Sequence, residues 1–296
     1  MESYFASLPA TFGAVSAQVA ASSSPVLILG EPGTGRSVFA RLLHRAGPRA
    51  SAPLLELDPA AIPSSLLESE LFGFRAGAFT GAERSQAGRV TRAEGGTLVL
   101  DHVEELPLAS QPKLLRLLAE HRYAPLGGAE TQADVRFVAI GAHDLPARVE
   151  RGAFRSDLYF RLEVLTFVLP PLRERSREFE SLVEVLLADL GERFSRPGLE
   201  LSHQSRSWMP RYDWPGNLRQ LKNVLERAML LSDGSLLDPP PPAEMGLAVP
   251  PTLAEAERVA ILAALAASRG HQGKAAALLG ISRKGLWEKR KRHKIP

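Results

Sequence analysis

An aliphatic run from Pro25 to Leu29 feeds directly into Gly30-Glu31-Pro32-Gly33-Thr34-Gly35-Arg36-Ser37, and an apolar stripe through Phe39, Leu42 and Leu43 follows. Strand, glycine-rich loop and helix in that order commit the chain to an α/β layer. Two more strand-like runs, TLVLD at Thr97–Asp101 and VRFVAI at Val135–Ile140, alternate with helical stretches and predict a parallel sheet flanked by helices. In such a loop the successive backbone N–H groups and the helix N-terminus face one concavity, which suits phosphate oxygens. Position 36 departs from the usual pattern. Lysine is a compact point charge, whereas Arg36 carries a broad planar fork, so weak phosphate binding is expected. Asp101, ending an apolar strand, is placed to hold Mg²⁺ through water, with Ser37 as the loop hydroxyl.

Between these motifs lies LLESELFGFRAGAFTGA, Leu66 to Ala82, which joins an acidic helical segment to a loop of small residues. Gly77 and Gly81 free the backbone to turn, and Ala78 and Ala82 add little bulk. Phe79 and Thr80 are thereby offered outward to a partner.

Composition adds boundaries. With 296 residues, 45% of them hydrophobic, the chain can bury a sizeable core and suggests about two domains. It contains no cysteine, no run long enough to span a bilayer and no basic N-terminal flank leading into an apolar stretch, so a cytoplasmic protein without membrane association is expected. The formal net charge is +3 overall and +7 over residues 251–296, which leaves −4 on the first 250. DPPPPAEMGLAVPP, Asp238 to Pro251, forbids helix and reads as a spacer. Residues 172–237 carry no strand-like run and read as a helical lid. The domains are therefore expected at 1–171, 172–237, 238–251 and 252–296.

The basic tail has its own logic. Thr252-Leu253-Ala254-Glu255 is a capping box that opens a helix with Val259, Ile261, Leu262 and Leu265 on one face, and Gly270 ends it. A short helix from Lys274 to Leu279 meets Gly280-Ile281, and Ser282 caps a third helix through Trp287 toward His293. With Arg283, Lys284, Lys289, Arg290, Lys291 and Arg292 on the last helix, this is a helix-turn-helix able to enter the DNA major groove. Ser282, Arg283, Lys284, Trp287, Lys289 and Arg290 are the expected DNA contacts. Gly285 weakens that helix by roughly 0.5–1 kcal/mol.

Taken together, GEPGTGRS, GAFTGA, GGTLVLD, DLYFRL, LPPLRER (Leu169–Arg175) and WPGNLR resemble the bacterial enhancer-binding proteins, the AAA+ activators of sigma-54 RNA polymerase. The resemblance covers about residues 5–296 and implies a Fis-type tail that binds enhancer DNA, a ring that is a hexamer or a mixed assembly with a related activator, and ATP with Mg²⁺ as cofactors. It implies that Gly77, Ala78, Phe79, Thr80, Gly81 and Ala82 touch sigma-54. Arg155 and Arg161 match the paired arginine fingers that act on a neighbour's nucleotide, and Arg219 matches the second sensor. Asn217 reads as the N-cap of that helix.

Four positions depart from the family. His102 follows Asp101 where relatives place the catalytic Glu; Asp58 replaces the Asn that pairs with that Glu; Ala142 replaces the polar first sensor; and Arg36 replaces the loop lysine. His143 falls one residue late and reads as a surface histidine, and Glu104 and Glu105 read as solvated charges. Weakened or lost ATP hydrolysis is expected, which leaves two functions open: an activator in its own right, or a hydrolysis-deficient DNA-binding co-regulator in a ring with an intact relative. The first nucleotide motif lies so near residue 1 that no preceding sensory domain is expected.

Overall fold

The computed structural model describes residues 17–241, 261, 268, 271–279, 281 and 283–292, which fall into two units divided at Pro239 and Pro240. Among the described residues of the first unit, five strands form one parallel sheet: β1 (Val26–Gly30), β2 (Leu54–Leu57), β3 (Thr97–Leu100), β4 (Arg136–Ala142) and β5 (Leu165–Leu169), in the order β2-β3-β4-β1-β5. β1 and β3 are buried along their whole length, which explains why they read as uninterrupted aliphatic runs. β5 lies at the sheet edge, and its alternating burial, with Thr166 and Val168 exposed, gave a weaker signal. Because β1 sits between β4 and β5 while the chain's next strand, β2, lies at the far edge, crossover directions reverse at β1. A crevice opens beyond the carboxyl ends of the strands at such a point.

Helices α1 (Arg36–Arg45), α2 (Ser64–Phe72), α3 (Gln111–Glu120) and α4 (Ser156–Leu162) follow strands or loops of this sheet. α1 buries Phe39, Ala40 and Leu43, and the Phe39 ring meets Phe167 of β5 edge-on, 5.0 Å between centroids. Leu67 and Leu71 of α2, Leu114 and Leu117 of α3 and Leu158 of α4 close over Leu98 and Leu100 in one core.

The lid is built on α5 (Phe179–Arg193) and α6 (Asn217–Leu231). It is not wholly helical, as the sequence suggested. Glu200–Leu201 and Leu236–Leu237 pair in parallel as two-residue strands, too short to leave a periodic signal. Its centre is Trp214, 1% exposed, against Trp208 at 5.8 Å, Tyr212 at 5.1 Å and Phe179 at 6.2 Å, with the indole N–H donating to the Met209 carbonyl at 2.8 Å.

In the second unit α7 (Gln272–Leu278) and α8 (Arg283–Arg292) pack through Ala275, Ala276 and Leu286 against Ile261, with Leu279 and Ile281 at the margin. α7 begins two residues before its predicted start. Gly270, Gly280, Ser282 and all of the predicted first helix but Ile261 and Ser268 lie outside the described residues.

Replacing Trp214 with Ala removes the largest buried side chain of the lid and is expected to cost about 3–5 kcal/mol. Denaturant unfolding followed by fluorescence should show the lid's transition at a lower midpoint than in the parent.

Candidate functional site

Where β1 ends, the backbone enters the left-handed region at Gly33 (φ +82) and again at Gly35 (φ +100), the residue that precedes α1. A Cβ on Gly33 would stand 2.3 Å from the Gly216 carbonyl oxygen, so glycine is needed for conformation and for close approach of the lid. The resulting cleft, about 240 Å³, brings together Gly33, Gly35, Arg36, Ser37, Asp101 and His102 from the sheet side and Arg219 and Lys222 from α6. Ser37 Oγ donates to Asp101 Oδ2 at 3.1 Å, so the expected hydroxyl and carboxylate converge.

Two of the positions expected to depart from the family meet. His102, in left-handed conformation (φ +48), places Nδ1 3.1 Å from Asp58 Oδ1 and 3.7 Å from Asp101 Oδ1. An ionised carboxylate only accepts, so the ring nitrogen is the donor to Asp58. Asp58 Oδ1 also accepts from the Ala60 N–H at 3.0 Å and so caps the turn Pro59–Ala61 that leads to α2. Ala142 ends β4 half-buried, and His143 is exposed as expected. Glu104 is not solvated: it is buried at 7% exposure, because the turn Val103–Glu105 tucks it under the loop, whereas Glu105 is exposed and pairs with Arg148 at 3.1 Å.

Arg36 lies in the wall of this cleft, yet its guanidinium turns inward. Nη1 donates to the Gly30 carbonyl at 2.9 Å and to the Gly141 carbonyl at 2.6 Å, tying the ends of β1 and β4 together. Burial lowers its proton affinity from the usual arginine range, with Asp101 and Glu104 acting in opposition.

Asn217 does not cap its helix as predicted; Gly216 precedes α6 without a side-chain cap. Fully buried and at φ +51, Asn217 instead spans three segments. Its Oδ1 accepts from the Leu172 N–H at 2.7 Å, and its Nδ2 donates to the Pro32 carbonyl at 3.0 Å and to Glu31 Oε2 at 3.2 Å. Arg173 grips Glu31 in bidentate fashion at 2.6 and 2.9 Å. These contacts, Arg173 first and Asn217 second, pull the Glu31 carboxyl down to about 2 from an ordinary 4.5. LPPLRER carried Arg173 in plain sight, but only the fold gives it a partner.

Arg155 and Arg161 do not line the cleft of their own chain. Arg155 forms an exposed two-point pair with Asp157 at 2.7 and 3.0 Å, whereas Arg161 donates to the Leu118 and Ala119 carbonyls at the end of α3. The Gly77–Ala82 loop follows α2 between the paired segments Gly73–Phe74 and Gln86–Ala87. Gly77 (φ +80) and Gly81 (φ +96) turn it, and the Gly77 N–H donates to the Ala82 carbonyl at 2.8 Å. Phe79, 42% exposed, leans on Phe74 at 4.9 Å, which leaves Thr80 exposed at the tip. A second hairpin, Arg122–Tyr123 with Thr131–Gln132, had no assigned role from sequence; its Leu126 exchanges backbone hydrogen bonds with Gly73 and Arg75 at the loop's base. On α8, Arg283 and Trp287 are exposed and Lys289 and Arg290 half-buried.

A parallel sheet ending in a glycine-rich cleft under a helical lid defines the AAA+ class of α/β core, carried here with a helix-turn-helix unit. Residues 9–168 match the model of the sigma-54 interaction domain, 173–241 that of the AAA+ ATPase lid domain and 252–293 that of the bacterial regulatory protein, Fis family. The chain belongs to the sigma-54-dependent transcriptional activator family, with a Fis-type DNA-binding domain. It is 40% identical to the alginate biosynthesis transcriptional regulatory protein AlgB of Pseudomonas aeruginosa over 93% of its own length and 64% of that protein. To the Nif-specific regulatory protein of Azotobacter vinelandii it is 43% identical over 90% of its length and 53% of that protein. It thus spans less than two thirds of these relatives. NtrX from Brucella abortus, solved in complex with ATP, superposes with a TM-score of 0.69 at 31% identity, covering 94% of this chain and 66% of NtrX. No helix among the described residues is long and apolar enough to cross a membrane.

The clasp on Glu31 has a pH signature. A carboxyl whose folded pKa lies below its unfolded value stabilises fully above pH 4.5 and loses that contribution as pH falls toward about 2. The thermal-midpoint difference between the parent and Glu31→Gln should therefore shrink across that window and stay constant above it.

Proposed function

We propose that this chain regulates sigma-54 promoters by binding enhancer DNA through α8, joining a ring, and presenting the Gly77–Ala82 loop to sigma-54 in response to ATP, so that open-complex formation follows. One observation carries the reading. The exposed Phe79–Thr80 tip is joined through α2 and the Pro59–Ala61 turn to Asp58, which touches His102 in the cleft. A change at the cleft that moves Asp58 is thereby passed along a continuous segment to the tip.

The cleft fits a magnesium nucleotide. Its glycine loop offers N–H groups and no Cβ, and Ser37 with Asp101 supplies two hard oxygens. Among the described residues no group of three His, Asp or Glu forms a cation cage, so Mg²⁺ would be shared between these two oxygens, phosphate and water. Bound ATP supplies the phosphoanhydride bond whose cleavage drives such rings. The exposed Arg155–Asp157 pair opens at little cost, which frees Arg155 for a neighbouring subunit, whether that ring is a hexamer of this chain or mixed. Arg161 would have to leave two carbonyls and is better suited to hold α3 and α4 in place.

A second reading, a hydrolysis-deficient partner in a ring with an intact relative, is favoured by His102 and by the inward turn of Arg36. Replacing both partners, His102→Glu with Asp58→Asn, restores a carboxylate base held by an amide and should raise ATP turnover by roughly 10²-fold or more. His102→Glu alone should gain less, because it sets two carboxylates in contact. Measurable turnover in the parent that the double variant does not raise would rule this reading out. For the leading reading, Thr80→Ala should keep DNA binding and lose sigma-54 capture in a pull-down with ATP; capture at the parent level removes the loop from the mechanism.

A further inference from the structure

We propose that Gly273, on the helix before the reader, fixes the orientation in which Arg283 meets a base edge, and is a specificity-determining position of the DNA-binding unit. The proposal rests on the reading of α8 as the helix that enters the major groove. Gly273 lies in the first turn of α7, and an ideal Cβ there would stand 2.5 Å from Arg283 Nη2, 2.8 Å from Nε and 2.9 Å from Cζ. The guanidinium of Arg283 therefore lies across the bare Cα of Gly273. Backbone shape does not require a glycine at this point. Gly273 is outside the left-handed region, and the three atoms nearest its Cβ position all belong to Arg283, whereas a Cβ on Gly47, Gly88 or Gly96 would meet backbone at 2.4, 2.3 and 2.0 Å. Glycine weakens a helix relative to alanine, so α7 gives up stability here for room that only Arg283 uses.

Helix periodicity produces the pairing. Gly273 and Ala276 share one face of α7, and Arg283 and Leu286 one face of α8, each pair three residues apart. Leu286 packs with Ala276 in the core between the helices, and one turn earlier the same faces bring Arg283 over Gly273. Arg283 stays exposed and makes no hydrogen bond or ion pair among the described residues, so its N–H donors are available to a base. It is also the first residue of α8, and the N-terminal residues of a recognition helix are the ones that reach base edges. An aligned guanidinium offers two parallel donors to guanine O6 and N7. Held against α7, the side chain loses less freedom on binding than one swinging in solvent. Arg283 is thus the binding residue, and Gly273 a positioning residue that acts through it.

The test measures binding of the full chain to two probes by fluorescence anisotropy: a duplex enriched by the parent chain from a random-sequence library, and a scrambled duplex of the same length. Gly273→Ala should weaken binding to the enriched duplex by at least about threefold and leave the scrambled duplex unchanged, because the charge of Arg283 remains for phosphate contacts. Its thermal midpoint should equal or exceed the parent's, since alanine is the better helix former. Arg283→Met should weaken both duplexes, and adding Gly273→Ala to it should cause no further loss. Parent-like affinity of Gly273→Ala for the enriched duplex, or a loss that persists in the Arg283→Met background, overturns the proposal. So does a loss shared by both duplexes or accompanied by a lowered midpoint. If the parent enriches no sequence, the reading of α8 on which the proposal rests fails instead.

Discussion

The buried side chain of Asn217 is the contact on which the arrangement of this cleft depends. Three segments distant in sequence, the Glu31–Pro32 loop, the Leu172 turn and α6, share its two polar atoms. A buried amide that loses a partner leaves an unsatisfied donor or acceptor, so the three segments hold together or separate together. The ion pair between Glu31 and Arg173 adds charge to the same junction at its more exposed margin. Because Arg219 and Lys222 follow Asn217 on α6, the position of every lid residue in the cleft is set by this one seat.

On the sheet side the positions expected to depart from the family pattern are linked in space. His102 and Asp58 are each unfamiliar alone, yet they meet at 3.1 Å with donor and acceptor reversed relative to a carboxylate held by an amide. The contact joins the cleft to the turn before α2 through an imidazole, at the position where the resemblance implies a carboxylate. Arg36 closes on the strand end next to Ala142. With no polar side chain at the end of β4, the guanidinium closes on the backbone carbonyl of Gly141 instead.

Much of this was legible in the sequence, and the exceptions have physical causes. β1, β3 and β4 announced themselves as aliphatic runs because they are buried on both faces; β2 and β5, at the two edges of the sheet, are only partly covered and carry a mixed pattern. The glycine turns at Gly33, Gly77 and Gly81 were readable because no other residue adopts those conformations as easily. The burial of Glu104 and the use of Asn217 as a bridge were not, since local pattern says nothing about what arrives from the rest of the chain. Arg155 and Arg161 look equivalent in FRSDLYFRL, but one faces solvent with Asp157 and the other caps α3.

The sequence by itself determined the class of fold, the loop that could face phosphate, the exposed Phe79–Thr80 tip and the basic reader, because each is a local pattern of size, charge and backbone freedom. The tertiary structure decided what each arginine of the cleft lies against. Arg36 finds its acceptor at Gly141, 105 residues along the chain, and Arg219 reaches the loop only because Leu218 and Asn217 bond to it from the lid. A side chain's partner is fixed by distance in space, and that is settled when the layers pack.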